Sequence, residues 1–198
     1  MACRAAARAM TDDAPGGLLR KIITALETAL IPYMVVGSFA STAHGEPRTT
    51  RDLDLVIDPR PDQLNELLAA LDAEHYYVDP DVARDALRRR SMFNIIEIAT
   101  GWKLDLVIRK ARPFSIEEMR RRTITKILGM DVSTATAEDT IIAKLEWAKL
   151  GASDRQLEDV AGMLRVRGAD LDFDYIERWV TELGLAELWQ RARAATPP

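Results

Sequence analysis

The segment Leu-Asp-Leu-Val-Ile occurs twice in this chain, at residues 53–57 and again at residues 104–108. Each copy has the apolar content of a buried strand, and each carries an acid at its second position. Because side chains alternate along a strand, the leucines and isoleucines share one face and the acid lies on the other. An ionised carboxylate in an apolar interior is costly unless it is paired or binds a metal. The repeat therefore predicts two strands whose acids are either paired with another charge or bound to a metal.

A third acid, Asp52, lies two residues before Asp54 and shares its face of the predicted strand. If the two strands are neighbours, Asp52, Asp54 and Asp105 converge on one patch, where like charges repel unless water or a cation separates them. Carboxylate oxygens with open coordination positions suit Mg²⁺ or Mn²⁺, which bind substrate phosphates. An Asp-x-Asp pair on an exposed strand is often a simple polar surface that discourages aggregation, but the repetition favours a metal site.

The stretch before these acids predicts a binding site for phosphate. Residues 33–36 predict a short strand, Gly37-Ser38 follows, and residues 38–44 predict a short helix that Gly45 ends. A glycine lets the backbone approach a phosphate closely, and the N–H groups that begin a helix bind anions. Gly-Ser alone is typical of a plain turn. Its position between a strand and a helix, ahead of the paired acids, favours nucleotide binding, with Ser38 adding a hydroxyl.

The remaining pattern divides the chain into regions of different secondary structure. Residues 17–133 alternate between helices and strands, whereas residues 134–198 contain four helical segments. We therefore expect an α+β fold that is followed by a C-terminal helical region. Residues 1–16 are basic, rich in alanine and predicted to be a disordered tail.

Two local signals refine the first region. Thr100-Gly101 lies between two strand-like segments and predicts a β-hairpin. Ser115 is followed three residues later by Glu118, a spacing that predicts a capping box with Ser115 as the N-cap of a helix.

Composition limits the classes of function. The net charge of −4 gives no general preference for nucleic acids, although basic clusters at 88–90, 109–112 and 120–122 leave RNA contacts open. No run approaches the ~18 apolar residues of a membrane span, so we expect no membrane partner. The single cysteine excludes a disulfide within the chain and fits the reducing cytoplasm, which is the predicted location.

The order of these motifs resembles that of the nucleotidyltransferase superfamily, which shares its catalytic fold with DNA polymerase beta. The family pattern of Gly-Ser, Asp-x-Asp and a third acid on a neighbouring strand corresponds here to Gly37-Ser38, Asp52/Asp54 and Asp105. The stretch 37–58 is most similar to the small stand-alone bacterial branch. That branch includes nucleotidyltransferase toxins of abortive-infection and toxin–antitoxin systems. The resemblance implies a mixed sheet flanked by helices, with the helical region after it.

The resemblance also implies a function. Such an enzyme moves an NMP from an NTP such as ATP to an acceptor hydroxyl on an RNA 3′ end or a protein, and a toxin of this kind has a cognate antitoxin. The sequence does not name the acceptor, so a small molecule stays open beside RNA and protein. Asp52 and Asp54 would bind both metal ions, and Asp105 would complete the second site and help to deprotonate the acceptor. Gly37 and Ser38 would hold the β- and γ-phosphates.

Other residues have two interpretations each. Lys144 lies beside the apolar stripe of a predicted helix, where it either contacts phosphate or is a solvated residue paired with Glu146 or another acid. Arg48 and Arg51 flank the acids and either form salt bridges or contact the triphosphate. The four tryptophans are predicted to be core or interface residues rather than platforms for base stacking.

Three functions remain open at this point. The leading hypothesis is the metal-dependent transferase. The alternatives are a weakly active or inactive nucleotide-binding module that acts as a partner protein, and a phosphohydrolase that uses the same acids. The intact acids favour an enzyme over the binding module, and the Gly-Ser turn favours transfer over hydrolysis.

Overall fold

The structure of the protein is a computed structural model that describes residues 16–46, 52–151 and 153–195. The helices are α1 Gly16–Thr28, α2 Gly37–His44, α3 Pro61–Ala69, α4 Pro80–Arg89, α5 Pro113–Arg121, α6 Ala137–Gly151, α7 Asp154–Arg167, α8 Phe173–Glu182 and α9 Ala186–Ala194. The strands are β1 Tyr33–Val36, β2 Asp52–Ile57, β3 Tyr76–Tyr77, β4 Met92–Glu97, β5 Lys103–Ile108, β6 Thr123–Ile127 and β7 Met130–Thr134.

The strands of these residues form one sheet in the order β3-β4-β5-β2-β1-β7-β6. The sheet is mixed, because β2 pairs with β5 and β1 with β7 in parallel, whereas the other neighbours are antiparallel. Helices flank the sheet, so the predicted α+β fold with a mixed sheet is confirmed.

One face of the sheet carries the main apolar core. Leu53, Leu55 and Ile57 of β2 are fully buried, as are the leucines and isoleucine at the matching positions of β5. They pack with apolar residues of α1, α3 and α4 in one cluster. Burial of a Leu or Ile side chain stabilises a fold by roughly 1.5–3 kcal/mol. The alternating pattern of the repeat therefore fixes which face of both strands turns inwards.

The last four helices form a second apolar cluster. It contains buried side chains from α6 to α9, and Phe114 of α5 joins it. All four segments predicted to be helical after residue 134 are helices in the structure. The division of the chain at residues 133 and 134 stays a prediction, and we note that β7 ends at Thr134 and α6 begins at Ala137.

Two local predictions had different outcomes. The hairpin across Thr100-Gly101 is confirmed, since β4 and β5 are antiparallel neighbours. The capping box at Ser115 is wrong, because α5 begins earlier, at Pro113, and its N-cap is Arg112. Proline suits the first turn of a helix, where its missing N–H and fixed φ are no handicap. Ser115 instead accepts a hydrogen bond from Arg112 Nε at 3.0 Å.

Some predictions concern residues outside the described ranges. They include the tail up to residue 15 and the two arginines that flank the acids, Arg48 and Arg51. Among the residues that the structure does describe, every helix is too short or too polar to cross a membrane.

Candidate active site

The two repeated strands are parallel neighbours and pair in register. Leu53 lies opposite Leu104, and Asp54 lies opposite Asp105. On its other side Asp54 lies opposite Val36, the last residue of β1, and Gly37 follows directly. The two strands are therefore neighbours, as the predicted acidic patch required, and the acids of the two copies stand side by side.

Gly37 and Asp54 are in such close contact that glycine is required between β1 and α2. Gly37 has φ +64°, in the left-handed region that side chains disfavour. A Cβ at this position would lie 2.1 Å from Asp54 Oδ2, well inside the van der Waals limit. The carboxylate of Asp54 thus occupies the space that any other residue at position 37 would fill.

Asp54 has an unusual ionisation equilibrium. Burial, followed by the neighbouring charges of Asp105 and Asp52, raises its pKa to about 6, although Lys103 and Lys144 act in the opposite direction. A carboxyl group that is held near its titration point by other acids gains most from a cation, which relieves both the repulsion and the burial of charge.

Asp105 is the more deeply buried acid, with 7% of its surface exposed. Its Oδ2 pairs with Lys103 Nζ at 2.9 Å, whereas its Oδ1 is buried without a hydrogen-bond partner. Buried carboxylate oxygens nearly always have a partner in native proteins. The unpaired oxygen therefore has a free lone pair for a cation or for the proton of a bound molecule.

Asp52 lies at the exposed start of β2, opposite Lys103 in the sheet. Within the described parts of the chain, no three acidic, histidine or cysteine side chains are close enough together to hold a metal ion. The structure thus brings Asp54 and Asp105 together and leaves Asp52 at the edge of the patch. Its role as a ligand stays a prediction.

A cleft of about 460 Å³ opens beside Asp54, on the face of the sheet opposite the main core. Its floor is made by strand residues such as Val56 and Val107, and α5 and α6 line its sides. Gly37 and Ser38, at the N-terminal end of α2, also line it. The predicted phosphate-binding turn and one of the predicted acids therefore share one cavity.

Lys144 projects from α6 into this cleft and is 4% exposed. Its Nζ lies 2.6 Å from Asp159 Oδ2 and 3.1 Å from Gln156 Oε1, both on α7. Lys144 is not a solvated residue, because the packing of α7 on α6 buries it, and the acid with which it pairs is Asp159 rather than Glu146. The contact of Lys144 with Asp159 and Gln156 was not predicted, since only the packing of the two helices brings these residues together.

Glu118 is a further cleft residue that the sequence did not reveal. It lies on α5, is 6% exposed, and burial together with the charges of Asp139 and Glu146 raises its pKa to about 8. Arg112, which would otherwise be its nearest basic partner, is held by Glu146, with Arg112 Nη2 2.6 Å from Glu146 Oε2. The cleft therefore contains a carboxyl group that is largely neutral at pH 7.

Two solved structures share this architecture. One is ANT(2")-Ia in complex with adenylyl-2"-tobramycin, which is 16% identical, has a TM-score of 0.55, and aligns over 88% of this chain and 97% of that chain. The other is the lincosamide antibiotic adenylyltransferase LnuA with lincomycin bound, which is 12% identical, has a TM-score of 0.52, and aligns over 75% and 95%. No protein family model matches the sequence, and neither does any curated protein.

At sequence identities this low, the structural similarity establishes a shared fold and not a shared activity. The chain shares the fold of ANT(2")-Ia and of the adenylyltransferase LnuA, as the resemblance of its Gly-Ser and acidic motifs to nucleotidyltransferases predicted. The roles of the individual site residues remain predictions that rest on the geometry described above.

Proposed function

We propose that the protein is a metal-dependent nucleotidyltransferase, which moves an NMP from an NTP to the hydroxyl group of an acceptor. The observation that carries this proposal is the Asp54–Asp105 pair, which stands in register on adjacent strands with Asp54 packed against Gly37. A nucleotidyltransferase fold around the pair supports it.

The phosphate side of the site would be built by α2 and α6. The N–H groups that begin α2 would bind the β- and γ-phosphates, with the hydroxyl of Ser38 as a further donor. Lys144, which lines the same cleft, would add a positive charge. Its ion pair with Asp159 orients the ammonium group and limits the entropy that Lys144 loses when phosphate binds. Arg48, although outside the described residues, is the proposed further contact.

The residues fit a divalent cation. Asp105 Oδ1 is a buried acceptor without a partner, and Asp54 is crowded by like charge, so a hard cation would satisfy both. Asp54 and Asp105 would be the main ligands of Mg²⁺ or Mn²⁺, with Asp52, water and phosphate oxygens completing the coordination. The bound ion would neutralise charge on the phosphates and thereby make the α-phosphorus a better electrophile.

The reaction would be an in-line displacement. The acceptor oxygen forms a new bond to the α-phosphorus, the bond between that phosphorus and the α–β bridging oxygen breaks, and pyrophosphate leaves with the electron pair. Asp105 would take the proton of the acceptor hydroxyl. Positioning and charge neutralisation would supply most of the acceleration.

The acceptor is an RNA 3′ end, a protein hydroxyl or a small molecule. The first two are the acceptors that the bacterial branch implies, with a cognate antitoxin as partner if the protein is a toxin. The third is suggested by the two similar structures, which contain adenylyl-tobramycin and lincomycin. A cleft of about 460 Å³ lies within the usual range for small-molecule sites, roughly 300–1,000 Å³.

A nucleotide-binding module without catalysis is the second candidate. The observation that favours it is that the described side chains include no ready group of three metal ligands. This candidate predicts NTP binding without transfer.

The test is incubation of the purified protein with each α-³²P-labelled NTP and Mg²⁺ or Mn²⁺. Total RNA, lysate protein and a panel of hydroxyl-bearing antibiotics are offered as separate acceptors. We expect label on one acceptor class. Asp54→Asn should reduce transfer by more than about 10³-fold, because a metal ligand that supports the reaction is lost.

The matched control is Asp131→Asn, which changes an exposed acid of the same sheet and should leave transfer unchanged. Transfer that persists in Asp54→Asn would show that the site is wrongly assigned. NTP binding without label on any acceptor would replace the transferase with the binding module.

A further inference from the structure

One face of α6 runs along the cleft from its buried end to its mouth. Thr140, Lys144, Trp147 and Leu150 recur at intervals of three and four residues and all line the cavity. Exposure rises steeply along this face, from 3% at Thr140 and 4% at Lys144 to 59% at Trp147 and 74% at Leu150. The outer pair, Trp147 and Leu150, therefore presents apolar surface at the mouth of the cleft.

The four tryptophans were predicted to be core or interface residues, and the exposure of Trp147 excludes the core for this one. Trp179 and Trp189 follow that prediction, since 6% and 2% of their surfaces are exposed. Within the described ranges Trp147 takes part in no aromatic or cation–π pair, whereas Trp179 and Trp189 each have several. A tryptophan that could bury 150–250 Å² and instead faces an open cavity lacks a covering group.

The position of Trp147 relative to the proposed reaction centre indicates what would cover it. Trp147 lies three residues beyond Lys144, so it stands about 4.5 Å further along the helix axis on the same face. Lys144 and Asp54 line the same cleft. In an NTP bound with its phosphates at Gly37 and Lys144, the sugar separates the base from the α-phosphate. The surface of the cleft at that distance from the phosphates is the outer turn of α6.

The neighbours of Trp147 hold this part of the wall in place. Glu146 is paired with Arg112 at the start of α5, and Arg112 also lies over the Phe114 ring at 5.5 Å from its centroid. These contacts tie the outer half of α6 to α5, so the indole is presented by an anchored helix. Pre-organised aromatic surfaces bind planar groups at a low entropic cost.

We propose that Trp147, flanked by Leu150, is the platform on which the nucleobase of the donor NTP stacks. This inference rests on the proposed function, because it takes the phosphates to lie at Gly37 and Lys144. Every NTP brings a planar aromatic base, whereas an acceptor hydroxyl requires no such group. Stacking is also tolerant of the base, so this platform adds affinity for all four NTPs.

The experiment is a fluorescence titration of the purified full chain with each NTP, in Mg²⁺ and again in EDTA. The wild-type protein, Trp147→Phe, Trp147→Ala and the control Trp102→Phe are compared. Trp102 is half-buried and packs against the main core, away from the cleft lining. Tripolyphosphate, which has the phosphates of an NTP but no base, is the second ligand.

We expect NTPs to quench tryptophan emission in the wild-type protein and in Trp102→Phe, and the quench to disappear in Trp147→Phe. In Trp147→Ala the dissociation constant for NTPs should rise about 5- to 100-fold, as measured by equilibrium dialysis. Tripolyphosphate should cause little quench and bind all four proteins equally well. Circular dichroism should be unchanged, because the residue is largely exposed.

Several outcomes overturn the platform. An unchanged NTP affinity in Trp147→Ala removes it, and an equal loss of tripolyphosphate affinity shows that the substitution acts on the phosphate site. An effect confined to the KM of the acceptor assigns Trp147 to the acceptor, and a change in oligomeric state assigns it to an interface. If transfer depends on Asp54 but NTP binding is normal in Trp147→Ala, only the proposal of a base platform is wrong. If the fluorescence quench depends on Trp147 but no transfer is found, only the proposal of a transferase is wrong.

Discussion

The two copies of Leu-Asp-Leu-Val-Ile lie side by side, and their apolar residues have the same surroundings while their acids do not. All six leucines and isoleucines are fully buried on the same face of the sheet. Asp54 packs against Gly37 and lines the cleft, whereas Asp105 is paired with Lys103 and keeps one oxygen without a partner. The same five residues therefore pack in the same way in both strands, whereas the electrostatic surroundings of their acids differ.

The difference comes from residues outside the repeat. Asp54 lies beside the β1–α2 turn, which covers it and raises its pKa through burial. Asp105 lies between β2 and β4, and the lysine two residues before it supplies its ion pair. Alternation along the strand determines where each acid points, and the residues that surround it determine its electrostatic environment.

The largest expected effect tests whether the apolar residues of the two copies contribute equally to the core. Leu55→Ala and Leu106→Ala should each lower the free energy of unfolding by about 2–5 kcal/mol, because each removes a fully buried side chain from the same core. Urea unfolding followed by circular dichroism measures both. The control Leu150→Ala, on an exposed leucine, should change stability by less than about 0.5 kcal/mol. A difference above about 2 kcal/mol between the two core variants would contradict the equality.

The next effect tests the half in which the copies differ. The pKa of Asp54 is raised to about 6, so the folded protein holds this proton more tightly than the unfolded chain does. The contribution to stability is full below about pH 4 and is lost as the pH rises through about 6. Asp54→Asn carries no charge to lose, and should therefore be more stable than wild type at pH 8, by about 2 kcal/mol.

Unfolding of both proteins at intervals from pH 4 to pH 8 in EDTA measures this effect. The stability difference should grow with pH in favour of Asp54→Asn, while transfer activity is lost. Added Mg²⁺ should stabilise the wild-type protein more than the variant, since the ion takes over the role of the proton. A difference that stays constant across this pH range would mean that Asp54 does not titrate there.

The smallest effect concerns the ion pair of Asp105. Lys103→Met removes a half-exposed partner, so stability should fall by about 1 kcal/mol or less. Because Lys103 also lowers the pKa of Asp54, the variant should move the pH dependence of stability to higher pH. Lys126→Met removes a comparable but more exposed pair with Asp131 on β6 and β7, and should leave that dependence where it is. Identical profiles for the two variants would place Lys103 outside the electrostatics of the site.

Much of the fold could be predicted because it depends on periodic patterns. Alternation identified the inward faces of β2 and β5, and helical spacing identified the four C-terminal helices. Short strands and the ends of helices were harder to predict from the sequence. β7 was not predicted because Met130–Thr134 is short and contains only two apolar residues, which is a weak signal for a strand. The start of α5 was misplaced because Pro113 outweighs the capping pattern of Ser115.

The motifs of the candidate site could be predicted from the sequence, whereas the helix residues that surround them could not. Gly37, Ser38, Asp54 and Asp105 belong to short motifs, and the resemblance made them recognisable. Glu118, Gln156 and Asp159 are separated from them by many residues and by whole helices, so no local pattern marks them as neighbours of the site. Trp147 was predicted to be a core or interface residue, and only the tertiary structure shows that it is exposed at the mouth of the cleft.

The sequence by itself determined the two strands, the face on which each acid lies and the Gly-Ser turn that precedes them, because alternation and the conformational freedom of glycine are local properties. Only the tertiary structure decided that the strands are parallel neighbours in register, that Gly37 touches Asp54, and that Lys144 is buried against Asp159. Ionisation, burial and the shape of a cleft depend on distances between segments far apart in the chain. Those distances exist only once the sheet and the helices have packed together.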